Sequence, residues 1–243
     1  MIVTIMQPTY LPWVGYFDLM DNSDVFVLLD TVQFEKQAWQ QRNRIKVSEN
    51  TSKWLSVPVK QDLGQKIRDV GIDVSSPWRR KHWGSIEQYY KHAPYWDSYS
   101  GELAGIYAQP WESLYKLNLA LINFFREQIG ITTRLVQASD IPVSGEKVRL
   151  LVNICHHLKA DVYLSPVRAS EYIEKDNIFA AEGITLQYHQ YTHPVYPQLF
   201  GEFLSHMAVI DLLFNRGPKS LEVIRSGRLK QGASLALQGE LYE

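Results

Sequence analysis

Arg42 and Arg44 stand two apart in the run DTVQFEKQAWQQRNRIK, which spans Asp30–Lys46. Arginine captures phosphate or carboxylate with a rigid two-pronged fork. At i and i+2 on an extended segment the two share a face. Gln33, Trp39, Gln40, Gln41 and Asn43 crowd around them. Ordinary solvated loops favour Lys, Glu, Ser and Gly instead, so the run reads as an anion-binding segment that opens on Asp30. A second run, MQPTYLPWVGYF from Met6, has a different chemistry. A glycine-rich phosphate loop works through backbone N–H groups, and here Pro8 and Pro12 remove two of them. What remains is the Gln7 amide, the hydroxyls of Thr9 and Tyr10, and the Trp13 ring. Gly15 allows close approach at a helix start, next to Tyr16. Such a loop suits a neutral polar ligand as well as a phosphate.

His193-Pro194 lies beside Tyr196-Pro197-Gln198 at a strand end. A histidine there is a candidate general base, with Gln198 as a neighbouring ligand contact. His189 and His193 are four apart, but on a strand and its following loop that spacing does not bring them together. His156 and His157 read as core and surface neighbours on a helix. Asp211, inside HMAVIDLLF, needs a partner or a proton and reads as structural. Cys155 is the one cysteine and lies on an apolar stripe. It excludes an internal disulfide and a thiolate zinc site, and with these histidines no metal held by protein ligands is expected.

These groups must be positioned by regular elements. Ile2–Met6 reads as a buried strand, Gly15–Met20 as a short helix and Asp24–Leu29 as a second buried strand. That spacing is a βαβ unit with parallel strands. Lys53–Val57 and Ile67–Val74 read as further strands, paired as a hairpin around Asp62-Leu63-Gly64. Helical patterns follow at Trp78–His92 and Trp111–Gln128, the latter with Leu114, Leu117, Leu121 and Phe124 in register and Gly130 as its stop. Then come a strand at Thr132–Val136, a helix capped by Ser144 with the stripe Val148, Leu151, Val152, Cys155 and Leu158, strands at Asp161–Leu164 and Thr185–Tyr191, and a helix at Ser205–Asn215 stopped by Gly217-Pro218. The expected fold is α/β: a doubly wound, mainly parallel, Rossmann-like sheet in a single domain of 1–243, with a helical insertion at 75–130. In such sheets ligands sit outside the carboxyl ends of the strands. The loops after Met6, Leu29, Val136 and Leu164, the last opening on Ser165, should therefore surround one crevice.

Of the 243 residues 45 % are apolar, enough for a sizeable core, and the net charge is −1. No global field draws the chain to nucleic acid or to a membrane. MIVTIMQP carries no basic leader or apolar signal and no run approaches a membrane span, so the expected compartment is the cytoplasm. Seven Trp and fourteen Tyr supply flat faces with polar tips, suited to core packing or to stacking on sugars and bases.

MQPTYLPWVGYF, DVFVLLDTVQFEKQAWQQRNRIK and WLSVPV together resemble the N-terminal signature of the WbqC-like family. GITLQYHQYTHPVYPQ and LSHMAVIDLLFNRG resemble its C-terminal half, so the likeness covers nearly the whole chain. It implies bacterial O-antigen or other surface-polysaccharide biosynthesis, with a suggested role in moving glycine or a related acyl group onto an amino sugar. One departure concerns the turn after DVYLS, where the family's glycines are replaced by SPVRASEYI, with Pro166 and Arg168. A second likeness is to pantothenate-synthetase-like nucleotidyltransferases, which pass an acyl adenylate to an amine. Those enzymes carry Gly-His at the helix start where this chain has Gly15-Tyr16, which leaves phosphate binding to Arg42 or Arg44. No cofactor is firmly implied, and ATP with magnesium is the one this likeness admits.

The expected substrate is a small molecule, a nucleotide- or lipid-linked amino sugar. Arg42 and Arg44 would hold its diphosphate or carboxylate, and Gln7, Trp13 and Tyr16 would line the pocket. His193 would take the amine proton, and Gln7 or Asn43 would donate to the oxyanion. Paired carboxylates, a Ser-His-Asp order and an Asp-x-Asp metal motif are absent, which disfavours hydrolysis and glycosyl transfer. Two alternatives stay open: a pre-activated thioester or aminoacyl-tRNA donor, and a non-catalytic nucleotide-sugar binding module.

Overall fold

The computed structural model describes residues 1–167 and 177–228. Strand β1 (Ile2–Met6) leads through helix α1 (Val14–Asp21) to β2 (Val25–Leu28). A hairpin of β3 (Arg42–Ser48) and β4 (Thr51–Ser56) follows, then the two-residue strands β5 (Val59–Lys60) and β6 (Gly71–Ile72). Helices α2 (Trp78–Tyr90), α3 (Trp96–Ala108) and α4 (Leu114–Ile129) come next. The chain then returns to the sheet through β7 (Arg134–Gln137), α5 (Lys147–Leu158), β8 (Val162–Pro166), α6 (Ile178–Ala181) and β9 (Thr185–His189). Helices α7 (Val209–Arg216) and α8 (Ser220–Ser226) complete the described elements.

The central sheet has the order β7-β2-β1-β8-β9, and every pair in it is parallel. Counted along the sheet strands alone, that is 3-2-1-4-5, the doubly wound Rossmann order. All four residues of β2 are buried, as a strand covered on both faces requires. One face packs Phe26 and Leu28 against Phe17, Leu121, Phe125 and Leu213 from α1, α4 and α7. The other packs Val3, Ile5, Val25 and Val27 against Leu151, Val152 and Cys155 of α5 and Phe179 of α6. Cys155 is buried, and desolvation pushes its thiol up to about 12, so it stays protonated at neutral pH.

Helix α4 forms where its sequence signals place it. The Ser113 hydroxyl caps the Lys116 N–H, the stripe from Leu114 to Phe124 is buried, and Gly130 at φ 88° closes the end with N–H bonds to Arg126 and Glu127. Other expectations are corrected. Lys53–Val57 pairs with β3, not with the Ile67 stretch. That stretch is a short 3-10 turn, and only Gly71–Ile72 pairs back, with β5. The helix expected from Ser205 starts at Val209, because Ala208 is held in extended backbone by its N–H bond to Arg44. Helix α5 starts at Lys147 rather than beside Ser144. Helix α3 was not read from the sequence: its buried stripe is only Tyr99, Leu103 and Tyr107, interleaved with Gly101 and Gly105.

The helical block is tied to the loop after β1 by a buried triad. The Tyr10 hydroxyl lies 2.8 Å from His82 Nδ1 and 2.6 Å from the Tyr107 hydroxyl. His82 is 6 % exposed, and burial lowers its pKa from 6.5 to about 4. Between those two values the unfolded chain binds a proton that the folded chain refuses. The His82 contribution to stability is therefore lost as pH falls from about 6.5 towards 4. His82→Gln keeps an acceptor for Tyr10 and removes the titration. Urea unfolding at pH 7 and pH 5 should show the wild type losing about 2 kcal/mol more than the variant over that interval. Equal losses in the two proteins would refute the assignment.

Candidate functional site

The sheet order reverses at β1, with β2 on one side and β8 on the other, so the crevice of a doubly wound fold lies outside the ends of β1 and β8. The loop leaving β1 is held open-handed. Leu11 sits at φ 45°, a left-handed conformation costing a leucine roughly 1–2 kcal/mol. Its carbonyl accepts from Asn43 Nδ2 at 2.5 Å. The Pro12 carbonyl accepts from the Val209 N–H at 2.8 Å, and the Pro8 carbonyl from Asn118 Nδ2 at 3.4 Å. The Gln7 carbonyl takes the Tyr16 hydroxyl at 3.3 Å, and the Tyr10 N–H goes to Trp39 O at 2.9 Å. The loop thus spends its Gln7, Pro8, Leu11 and Pro12 carbonyls and its Tyr10 N–H on the protein itself, and Pro8 and Pro12 have no N–H to offer.

Cationic side chains come from β3. Asn43 and Ile45 are buried towards the core, so Arg42, Arg44 and Lys46 share the opposite face. Lys46 is fully buried and its ammonium donates to the Glu202 carbonyl. Arg44 Nε reaches the His206 carbonyl at 3.5 Å, and the Arg42 guanidinium lies 4.7 Å from the centre of the Trp54 ring. Among the described residues neither Arg42 nor Arg44 is paired with a carboxylate, whereas Arg149, Arg225 and Arg228 all are.

Trp13 lies on the far side of Arg44. Its indole stacks on His206 at 5.4 Å and on His193 at 6.0 Å, with Tyr191 edge-on at 5.9 Å. His193 Nδ1 is 2.9 Å from the Pro194 carbonyl, an oxygen that can only accept. The ring proton is therefore on Nδ1 and the lone pair on Nε2. That nitrogen is buried and has no hydrogen-bond partner among the described residues. Burial lowers the His193 pKa to about 4, with nearby His206 adding to the effect, so the imidazole is neutral at physiological pH.

The remaining candidates fall into two groups. At the crevice, Gln7 Oε1 accepts from Gln40 Nε2 at 2.8 Å, and Thr9 is half-buried. Asp30 Oδ1 accepts from the Ser139 N–H at 2.9 Å, while its buried Oδ2 has no partner among the described residues. Gln33 and Trp39 are exposed. Ser165 is buried at the end of β8, and Arg168 lies outside the described residues. The other group is committed to the protein. Tyr10 and Tyr16 are in the core. The Asn43 amide clamps Leu11 and caps the Arg44 N–H. Gln198 makes a two-way clamp on the Leu204 backbone at 2.8 and 3.0 Å. Sequence reasoning passed over Lys46, Trp54 and His206. The first two were readable from the alternation of β3 and β4. His206 carried no local signal.

Buried carboxylates support this arrangement from behind. Asp211 accepts from Tyr90 and Tyr196 hydroxyls at 2.9 and 3.0 Å, and desolvation raises its pKa to about 6. Asp18 in α1 joins His189 Nε2 at 2.6 Å and Arg228 Nε at 2.7 Å. His189 therefore faces α1 and does not meet His193. Among the described residues no group of three or more His, Cys, Asp or Glu could hold a metal ion, and no helix is long and apolar enough to cross a membrane.

The WbqC-like protein family matches residues 7–223, the span from Gln7 into α8 that contains Gln7, Trp13, Arg42, Arg44, His193 and His206. The chain belongs to that family. A WbqC-like relative, the uncharacterized protein Rv1507c of Mycobacterium tuberculosis, is 35 % identical over 227 residues, covering 92 % of this chain and 97 % of its own. No solved structure matches the chain significantly.

Gly15 shows how tightly the WbqC-like loop is fitted. A methyl group there would sit 2.2 Å from the Trp13 ring, which is itself fixed by His193, His206 and Tyr191. Gly15→Ala should cost about 1–3 kcal/mol by overpacking and displace the Trp13 indole. Urea unfolding and near-ultraviolet circular dichroism read the two effects. An unchanged midpoint with an unchanged spectrum would refute the tight fit of Gly15 against the Trp13 ring.

Proposed function

We propose that this chain acylates an amino sugar during assembly of a bacterial surface polysaccharide, moving glycine or a related acyl group onto the sugar nitrogen. The observation that carries the reading is the His193 lone pair: neutral, buried, unpartnered and walled by the Trp13 ring, next to an arginine without a carboxylate partner. The polysaccharide setting is what the sequence resemblance to the family implies.

In this reaction the uncharged sugar amine attacks the acyl carbonyl carbon and a C–N bond forms. The nitrogen of the adduct is then strongly acidic and releases a proton to His193 Nε2. The bond from the acyl carbon to its leaving group breaks, and the leaving group departs with the electron pair. A base with a pKa near 4 does not keep the proton. It passes it to the leaving group or to solvent and is ready again. Arg44 holds the anionic part of the substrate, and Trp13 offers an apolar face to the sugar ring. Gln7, its Oε1 fixed by Gln40 Nε2, would donate from its own Nε2 to the developing oxyanion. An acyl adenylate, formed from ATP with magnesium, and a thioester or aminoacyl-tRNA are the two kinds of donor this chemistry accepts.

The test is product mass. The protein is incubated with a nucleotide amino sugar and either glycine with ATP and magnesium or a glycyl thioester. A sugar heavier by one glycyl residue is expected, with AMP released only in the first case. His193→Ala should lower the rate by about 100-fold or more, the usual worth of a positioned base. Sugar binding without product from either donor would replace the enzyme reading by a binding module.

A further inference from the structure

Two tryptophans that touch each other stand exposed on the hairpin beside this site. Trp39 is 46 % exposed and Trp54 44 %, and their ring centres are 5.5 Å apart. Large rings exposed together, unlike rings scattered singly, are the kind of surface a ligand covers. They are not a detached patch. The Trp39 carbonyl is bonded to the Tyr10 N–H in the loop after β1, and Trp54 is the direct cross-strand partner of Arg44.

From these rings a continuous track of aromatic and cationic groups runs inward. Arg42 lies against Trp54, Arg44 is paired with Trp54 and reaches His206, His206 stacks on Trp13, and Trp13 stacks on His193. The order along the track is flat rings, two arginines, then an indole and a neutral imidazole. A free sugar would fill only the inner end. A polyprenyl chain would find no continuous apolar groove at the outer end, where polar Arg42, Ser52 and Ser56 share the face with Trp54.

We infer that the acceptor is a nucleoside diphosphate sugar, with its base on Trp39 and Trp54, its diphosphate on Arg42 and Arg44, and its sugar beside the stacked pair of Trp13 and His193. This inference rests on the proposed acylation for the role of the inner end, and it adds the carrier and the direction in which the substrate lies. Every base has a flat face, so a two-indole platform tolerates different bases and sets the carrier class rather than the nucleobase. The arginines supply four-pronged contact to two phosphates, which a single lysine cannot copy.

Binding of UDP, dTDP and inorganic pyrophosphate to the full chain is measured by calorimetry, with tryptophan fluorescence as a second signal. UDP and dTDP should bind about tenfold or more tightly than pyrophosphate, the contribution expected of one stacked base. Trp54→Ala and Trp39→Ala should each shrink that ratio while leaving pyrophosphate affinity unchanged. Arg44→Lys should weaken all three ligands together. Nucleoside diphosphates that bind no better than pyrophosphate, or not at all, would overturn the inference, as would a ratio that survives Trp54→Ala. Acylation of a polyprenyl diphosphate amino sugar in detergent but not of its UDP counterpart would also overturn it. Tight UDP binding with no acylated product would instead leave the carrier assignment standing and remove the reaction.

Discussion

The loop from Gln7 to Gly15 is the constraint on which the rest of the site depends. It leaves the central strand β1 and places a leucine in left-handed backbone. Nothing within the loop could hold that conformation. It is held from outside by Asn43 on Leu11, Asn118 on Pro8, Val209 on Pro12 and Tyr10 on Trp39. These bonds join the loop to β3, α4, α7 and the segment before β3. Each removes a polar group that would be costly to bury unpaired. The result is a rigid support that presents Trp13 and Gln7. In the proposed reading the anion is met by arginines, which hold anions through side-chain geometry and can do so on a strand face.

The same logic explains the local charges. Three buried titratable groups in and behind this region are shifted by one cause, loss of water. His82 and His193 are pushed down to about 4, and Asp211 is raised to about 6. The histidines stay neutral and act as acceptors, His82 for a structural tyrosine and His193 for the proposed amine. Asp211 is satisfied by two tyrosine donors, with no salt bridge to a cation among the described residues. Arg42 and Arg44, without carboxylate partners among the described residues, remain half-exposed, where an unpaired guanidinium is tolerable.

Much of the sheet was legible because its strands are short apolar runs covered on both faces. IVTIM, VFVL and DVYL can be little else. Helix α4 announces itself through Ser113, its stripe and Gly130. Strand β3 looks like a solvated loop because Arg42, Asn43, Arg44 and Lys46 are polar. Their environment is supplied by residues some 160 positions away: Glu202 over Lys46 and His206 beside Arg44. No local pattern encodes that. That Arg42 and Arg44 share a face was readable, since strand alternation alone puts them together. Asn43 and Gln198 misled for a physical reason. An amide serves a ligand or a backbone equally well, and here both serve the backbone.

Lys46, Arg44 and Trp13 all lean on the stretch between His193 and Ala208, beyond the last strand of the sheet. During synthesis the ribosome delivers the five sheet strands by His189, yet at that moment Arg44 lacks its His206 contact and Trp13 lacks both imidazoles. The scaffold is encoded first and the chemistry last. A nascent or prematurely ended chain can carry all five sheet strands and still lack the contacts that seat Lys46, Arg44 and Trp13.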